Sequence, residues 1–116
     1  MLREKLLQLR KKFTDSAGAV ETMLDRVGKA LINPDSDFME ELSVLEAQVN
    51  HYELELDFFC TSIISLYAPE AKDLRTVLMI LKMNGDVERI GDLLYGIAKV
   101  VRNLRETGEP ADAALA

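Results

Sequence analysis

Apolar residues in the middle of the chain recur at alternating steps of four and three positions. The recurring residues are Phe38, Leu42, Leu45, Val49, Tyr52, Leu56, Phe59, Ile63 and Leu66. This spacing places all of them on one stripe of an α-helix, as in the seam of a coiled coil. The pattern therefore predicts a helix over residues 38–66 that packs against other helices along its length.

Similar stripes predict a helix on either side. The stripe of the first helix, over residues 3–31, consists of Leu6, Leu9, Phe13, Val20, Met23, Val27 and Leu31. The stripe of the third helix, over residues 69–106, consists of Val77, Ile80, Asn84, Val87, Gly91, Leu94, Ala98, Val101 and Leu104. Pro69 suits the first position of a helix, where its missing N–H has no partner to lose. Asp37 and Glu40 have the spacing of an N-cap and its capping-box partner at the start of the second helix.

The connections between the predicted helices are short, so neighbouring helices run antiparallel. The sequence thus predicts an all-α fold, an antiparallel three-helix bundle formed by residues 1–106. Gly108 and Pro110 end the third helix. Residues 107–116 are predicted to form a flexible C-terminal tail.

Acidic residues lie beside the apolar stripes of the second and third helices. On the second helix a parallel stripe contains Glu46, Asn50, Glu53, Asp57 and Cys60. On the third helix Glu88 and Asp92 are four residues apart and share one face. Like charges at this spacing cost an isolated helix roughly 0.2–0.5 kcal/mol. A nearby counter-charge, from Arg89 or a metal ion, would remove that cost.

The geometry of an antiparallel hairpin predicts which of these side chains meet. If the chain turns near residue 68, residues at one height have numbers that sum to about 136, so residue 90 lies opposite residue 46. The predicted metal ligands are Glu46, Asn50, Glu53, Glu88 and Asp92, with Asp57 as a weaker candidate. Oxygen ligands favour Mg²⁺, Mn²⁺ or Ca²⁺. The alternative is a solvated acidic face with surface ion pairs from Arg89 or Lys82.

The segment that leads to these acids is specific enough to suggest a family. Its residues are Pro69, Ala71, Asp73-Leu74-Arg75 and Lys82, followed by Glu88-Arg89-Ile90-Gly91-Asp92. In this order and at this distance they resemble the PhoU family, the regulators of bacterial phosphate uptake. Residues 45–57 resemble the preceding helix of that family. Ala68 departs from the pattern, since many members carry Gln before the proline.

The resemblance implies a non-enzymatic regulator that couples a phosphate transporter to a sensor kinase at the inner face of the membrane. The alternative is a PhoU-like adaptor or oligomerisation module beside another transporter or channel. In the family, acidic motifs on these two helices bind metal ions, which are iron or zinc in some members. Asn50 stands where a second acid is common, which weakens the prediction of a highly charged iron or zinc cluster. Asp73 and Arg75 are expected to contact a partner or to fix the turn.

PhoU proteins usually contain two three-helix repeats, and this sequence shows one. A single bundle is predicted to leave an apolar face on the third helix. That face is formed by Val77, Ile80, Val87 and Leu94, with Leu78 and Leu81 beside them. A homodimer would cover such a face through a two-fold interface, the commonest oligomer symmetry.

The net charge of −6 argues against nucleic-acid binding, which needs a basic surface. The charge is unevenly distributed. Residues 1–12 carry five bases, Arg3, Lys5, Arg10, Lys11 and Lys12, against Glu4, which leaves +4 there and −10 on the remainder. These cations fit the solvated edges of the first helix. Contact with an acidic partner or an anionic membrane surface is the alternative.

Other features favour a cytoplasmic protein, at most peripherally bound to the membrane, without catalytic chemistry. Cys60 is the single cysteine, so no intramolecular disulfide can form. The only histidine, His51, has Gln48 three positions before it, so the paired Glu-x-x-His motif of di-metal oxidases is missing. We find no glycine-rich phosphate loop in the sequence, and we expect neither catalysis nor an organic cofactor.

Overall fold

The computed structural model describes residues 1–33 and 38–107. They form three helices, α1 (Leu2–Ile32), α2 (Phe38–Tyr67) and α3 (Ala71–Thr107), in an antiparallel bundle. The predicted fold class is confirmed, and the predicted bounds of α1 and α2 agree within one residue. The predicted cap at Asp37 and residues 108–116 of the predicted tail lie outside the described residues, whereas Thr107, the first residue of that tail, is the last residue of α3. None of the described helices is long and apolar enough to cross a membrane.

The start of α3 was predicted wrongly, because the helix begins at Ala71 and not at Pro69. Ala68 has a left-handed backbone conformation, with φ of 41°. Its N–H donates to the Ile64 carbonyl at 3.2 Å, which closes the end of α2 as a left-handed C-cap does. The Glu70 carbonyl then accepts the first helical hydrogen bonds of α3. Residues 68–70 therefore form the turn that reverses the direction of the chain, and Pro69 is buried in that turn.

The core consists of two apolar clusters, one towards each end of the bundle. The first contains Val20, Met23, Val27, Ala30, Phe38, Leu42, Val49, Leu94, Ala98 and Val101. The second contains Leu9, Leu56, Cys60, Ile63, Val77 and Ile80. Two buried polar residues, Ser16 and Asn84, belong to neither cluster. Leu31 and Leu66, predicted as stripe residues, are 62% and 77% exposed, so the buried stripe of each helix ends before them.

Most residues of the apolar face predicted on α3 are not exposed, although Leu78 is 46% exposed as predicted. Val77, Ile80 and Leu94 are buried in the two core clusters, and Val87 and Leu81 pack against them. A three-helix bundle already covers the main stripe of each helix, so that stripe is not left for a partner. Other exposed apolar side chains lie on α1 and α3, and we call five of them, Leu24, Leu31, Ile90, Leu93 and Ile97, the α1–α3 apolar face.

Candidate acidic site between helices α2 and α3

The pairing of α2 with α3 follows the predicted hairpin geometry. The Ser43 hydroxyl lies 3.1 Å from the Tyr95 hydroxyl, and the Asn84 side-chain amide donates to the Glu53 carbonyl at 2.9 Å. The Cys60 thiol points at the Val77 carbonyl, 3.8 Å away. The two residue numbers of each pair add up to 138, 137 and 137, where the predicted hairpin geometry requires about 136. The expected register is therefore confirmed to within two residues.

Gly91 of α3 lies against both other helices at the level of the acids. A Cβ atom on Gly91 would lie 3.4 Å from Val49 Cγ1 and 3.8 Å from Met23 Sδ. Val49 sits between Glu46 and Glu53 on α2, and Gly91 sits between Glu88 and Asp92 on α3. These neighbours thus place the two acidic pairs at a similar height of the bundle.

Four of the predicted acids influence one another across this groove. The pKa of Glu88 is raised above its ordinary value of 4.5, chiefly by a hydrogen bond to Asp92 that requires a proton, then by burial and by the charges of Asp92 and Glu53. The pKa of Glu46 is raised by burial and then by the charge of Asp92. We call Glu46, Glu53, Glu88 and Asp92 the acidic groove.

The remaining predicted ligands lie further round α2. Asn50 is exposed. Asp57 is also exposed, and its charge acts on Cys60, not on the α3 acids.

Two cations near the acidic groove, Arg89 and Lys99, interact with its acids only weakly and have other partners. Arg89 pairs with Asp86 at 3.1 Å on the outer side of α3 and lowers the pKa of Glu88 as a minor effect. Lys99 lies over the Tyr95 ring, 5.0 Å from its centre, and lowers the pKa of Glu46. Within the described part of the chain, neither cation forms an ion pair with the four acids. The groove therefore keeps an excess of negative charge.

The groove does not contain a preformed metal centre. Within residues 1–33 and 38–107, no three His, Cys, Asp or Glu side chains stand close enough together to hold an ion. A cation would have to draw Glu46 or Glu53 towards the Glu88–Asp92 pair, with water completing its shell. This donor set fits a hard, hydrated divalent ion better than a multinuclear cluster.

The groove on the other side of α2 has a different charge pattern. Lys12 of α1 pairs with Glu55, which also contacts His51 Nε2 at 3.0 Å. Arg26 of α1 pairs with Glu41 at 3.1 Å. Our sequence analysis missed both pairs between helices. Their signal was the opposite charge of residues whose numbers share one sum, 67, across the α1–α2 hairpin.

Comparison with known proteins identifies the helical repeat. The PhoU domain profile matches residues 13–101, which include the acidic groove and the turn at Pro69. The chain belongs to the PhoU family. This agrees with the resemblance carried by residues 69–92.

Several curated relatives carry the name phosphate-specific transport system accessory protein PhoU, or homolog of it. The relative from Deinococcus radiodurans is 38% identical over 82 residues, covering 71% of this chain and 38% of its own length. The relative from Pseudomonas putida is 33% identical over 105 residues, covering 90% and 41%. The relative from Escherichia coli is 35% identical over 95 residues, covering 82% and 39%. The chain thus spans about two-fifths of the length of these relatives. No solved structure matches significantly.

Proposed function

We propose that this PhoU domain is a non-enzymatic regulator of phosphate uptake and of phosphate-starvation signalling. It would act by contacts with components of a phosphate transporter and with a sensor kinase. The observation that carries the proposal is the PhoU match over residues 13–101, together with relatives named as accessory proteins of phosphate-specific transport. These names describe the relatives, and we infer the same role for this chain.

The chemistry of the chain supports a role without catalysis. Cys60, its single cysteine, is buried, and burial raises the pKa of its thiol to about 11. Such a thiol is a poor nucleophile at neutral pH. His51, its single histidine, is exposed and turned towards Glu55, away from the acidic groove.

Arg75 is our candidate for partner contact. Its side chain is exposed at the start of α3, where its Nε atom lies 3.4 Å from the Ala71 carbonyl. No ion pair joins Arg75 to Asp73 among the described residues, so the pair does not lock the turn. The Nη atoms of the guanidinium could bind a carboxylate of another protein.

The regulatory role can be tested by deleting the gene and measuring transcripts of phosphate-starvation genes in phosphate-rich medium. We expect these transcripts to rise, and we expect the wild-type gene to reverse the rise while Arg75→Ala fails to do so. Lys29→Ala, which removes an exposed cation distant from the turn, is the matched control. Unchanged transcripts in a strain without a paralogue would contradict the proposal. Capture of a different transporter by the tagged protein would then favour the adaptor role.

We further propose that the acidic groove binds one hydrated divalent cation. Glu88 and Asp92 would be its primary ligands, with Glu46 and Glu53 reached directly or through water and Asn50 at the rim. The ion would neutralise the repulsion between helices α2 and α3. The raised pKa values of Glu46 and Glu88 support this proposal, because they express the same unbalanced negative charge.

A homodimer is the third part of the proposal, through the α1–α3 apolar face. Leu93, Leu24 and Ile90 are 63%, 59% and 48% exposed there. We expect light scattering at tens of micromolar to give twice the chain mass of 13.0 kDa. Leu93→Glu should produce a folded monomer, and Leu54→Glu, on the outer side of α2, should leave the dimer intact. A monomeric wild type would overturn this part.

A further inference from the structure

A second surface of the bundle is basic, at the end opposite the first core cluster. Arg3 and Arg10 of α1 face Lys72 of α3 across a groove of about 540 Å³. Leu6 and Leu7 line the same groove, whose one acid is Asp73. The local charge is therefore positive on a chain with a net charge of −6.

The three cations of this groove are not neutralised by acids of the chain itself. Among the described residues, Arg3, Arg10 and Lys72 form no ion pair. Lys11 and Lys12, on the same stretch of α1, are paired with Asp15 and Glu55. The fold thus neutralises the neighbouring lysines and leaves the groove cations exposed to an external anion.

Exposed apolar side chains accompany the cations. Leu7 is 61% exposed on α1, between Arg3 and Arg10 in sequence. Met1 and Leu66, at the same end of the bundle, are 78% and 77% exposed. Cations beside exposed apolar side chains are typical of helices that lie on an anionic lipid surface.

We propose that this basic groove docks the domain on an anionic phospholipid membrane. Arg3 and Arg10 are two helical turns apart, about 10 Å along α1. That separation suits several headgroup phosphates better than one small anion. Leu7 would enter the boundary between headgroups and acyl chains, while the net negative remainder of the bundle is held away from the surface by repulsion.

Vesicle co-sedimentation tests the proposal with phosphatidylglycerol–phosphatidylcholine vesicles and with pure phosphatidylcholine vesicles. We expect binding only to the anionic vesicles, and we expect it to weaken as salt rises. The variant Arg3→Gln/Arg10→Gln/Lys72→Gln should bind at least about tenfold more weakly. The variant Lys29→Gln/Lys82→Gln/Arg105→Gln changes the net charge equally outside the groove and should bind like wild type.

A second variant separates a lipid surface from an acidic protein. Leu7→Ser should reduce vesicle binding several-fold, since it removes apolar insertion and keeps every charge. Circular dichroism melting checks that each variant is folded. The proposal is overturned if wild type does not bind anionic vesicles or if the two triple variants bind them equally well. It is also overturned if Leu7→Ser has no effect while soluble polyglutamate displaces the vesicles, which would identify an acidic protein as the partner.

Discussion

The two grooves that flank α2 carry acids in opposite electrostatic situations. Towards α1, Glu55 has both Lys12 and His51 as partners. Towards α3, Glu46 faces Asp92, and Glu88 faces another carboxylate. The same helix therefore forms one seam in which charges are matched and one in which they are not.

The pKa directions express this difference. Lys12, by its hydrogen bond, lowers the pKa of Glu55, whereas the pKa values of Glu46 and Glu88 are raised. Matched charges contribute modestly to stability, and unmatched like charges oppose folding. Residues that break a local rule of stability are expected where a site serves a ligand or partner. This contrast is the reason why we propose the α2–α3 groove as the cation site.

The largest expected effect is stabilisation by a cation in the α2–α3 groove alone. A divalent ion that binds only the folded chain, at a hundred times its dissociation constant, should add about 2.7 kcal/mol to the free energy of unfolding. Thermal melting with Mg²⁺, Mn²⁺ or Ca²⁺ should show the rise in wild type and not in Glu88→Gln/Asp92→Asn. Glu41→Gln/Glu55→Gln, which removes two acids from the other groove, should retain it.

The next effect compares single charges in the two grooves of metal-free protein. Lys12→Gln leaves the half-buried Glu55 without its main partner and should lower the free energy of unfolding by up to about 1 kcal/mol. Glu88→Gln relieves repulsion and should raise it by roughly 0.2–0.5 kcal/mol. Urea unfolding with a chelator present measures both. If both variants changed the free energy of unfolding in the same direction, the proposed contrast between the grooves would be contradicted.

The pH dependence of metal-free protein should be the smallest effect. Glu46 and Glu88 have raised pKa values when folded, so the folded chain binds more protons than the unfolded chain just above pH 4.5. Their groove therefore gains stability as pH falls through the raised values. Glu55 has a lowered pKa, so its contribution is present above pH 4.5 and is lost as pH falls through the folded value.

Melting temperatures between pH 7 and pH 3 would separate the two contributions. Glu46→Gln/Glu88→Gln should lose the gain above pH 4.5, the ordinary glutamate value. Glu55→Gln should lose part of the decline below it. If both variants kept the wild-type profile, the two grooves would not differ as the structure indicates.

Much of the fold could be predicted because helical periodicity is a local property. The seam from Phe38 to Ile63 specified α2, and the short turn specified its register against α3. The turn itself could not be predicted in detail, since the left-handed conformation of Ala68 has no local signal in a residue that rarely adopts it. Pro69 was consequently assigned to the helix and not to the turn.

The site was predictable as far as spacing determines position. Glu88 and Asp92 were placed opposite Glu46 and Glu53 by the register, and the structure brings them together. Asn50 and Asp57 belong to the same stripe but are exposed, which the spacing alone did not predict. The exposed apolar face was predicted wrongly because periodicity identifies a buried stripe but does not show whether the other helices or a partner chain cover it. Leu93 and Ile90, which are exposed, lie outside that stripe.

Equilibrium dialysis against Mn²⁺ tests most directly whether the α2–α3 groove is a cation site. Wild type should bind one ion per chain saturably, Mg²⁺ should compete, and Glu41→Gln/Glu55→Gln should bind equally well. Glu88→Gln/Asp92→Asn, folded by circular dichroism, should bind none at the same free concentration. Absence of saturable binding to wild type, or equal binding to the Glu88→Gln/Asp92→Asn variant, would show that the facing acids are only a solvated and mutually repelling surface.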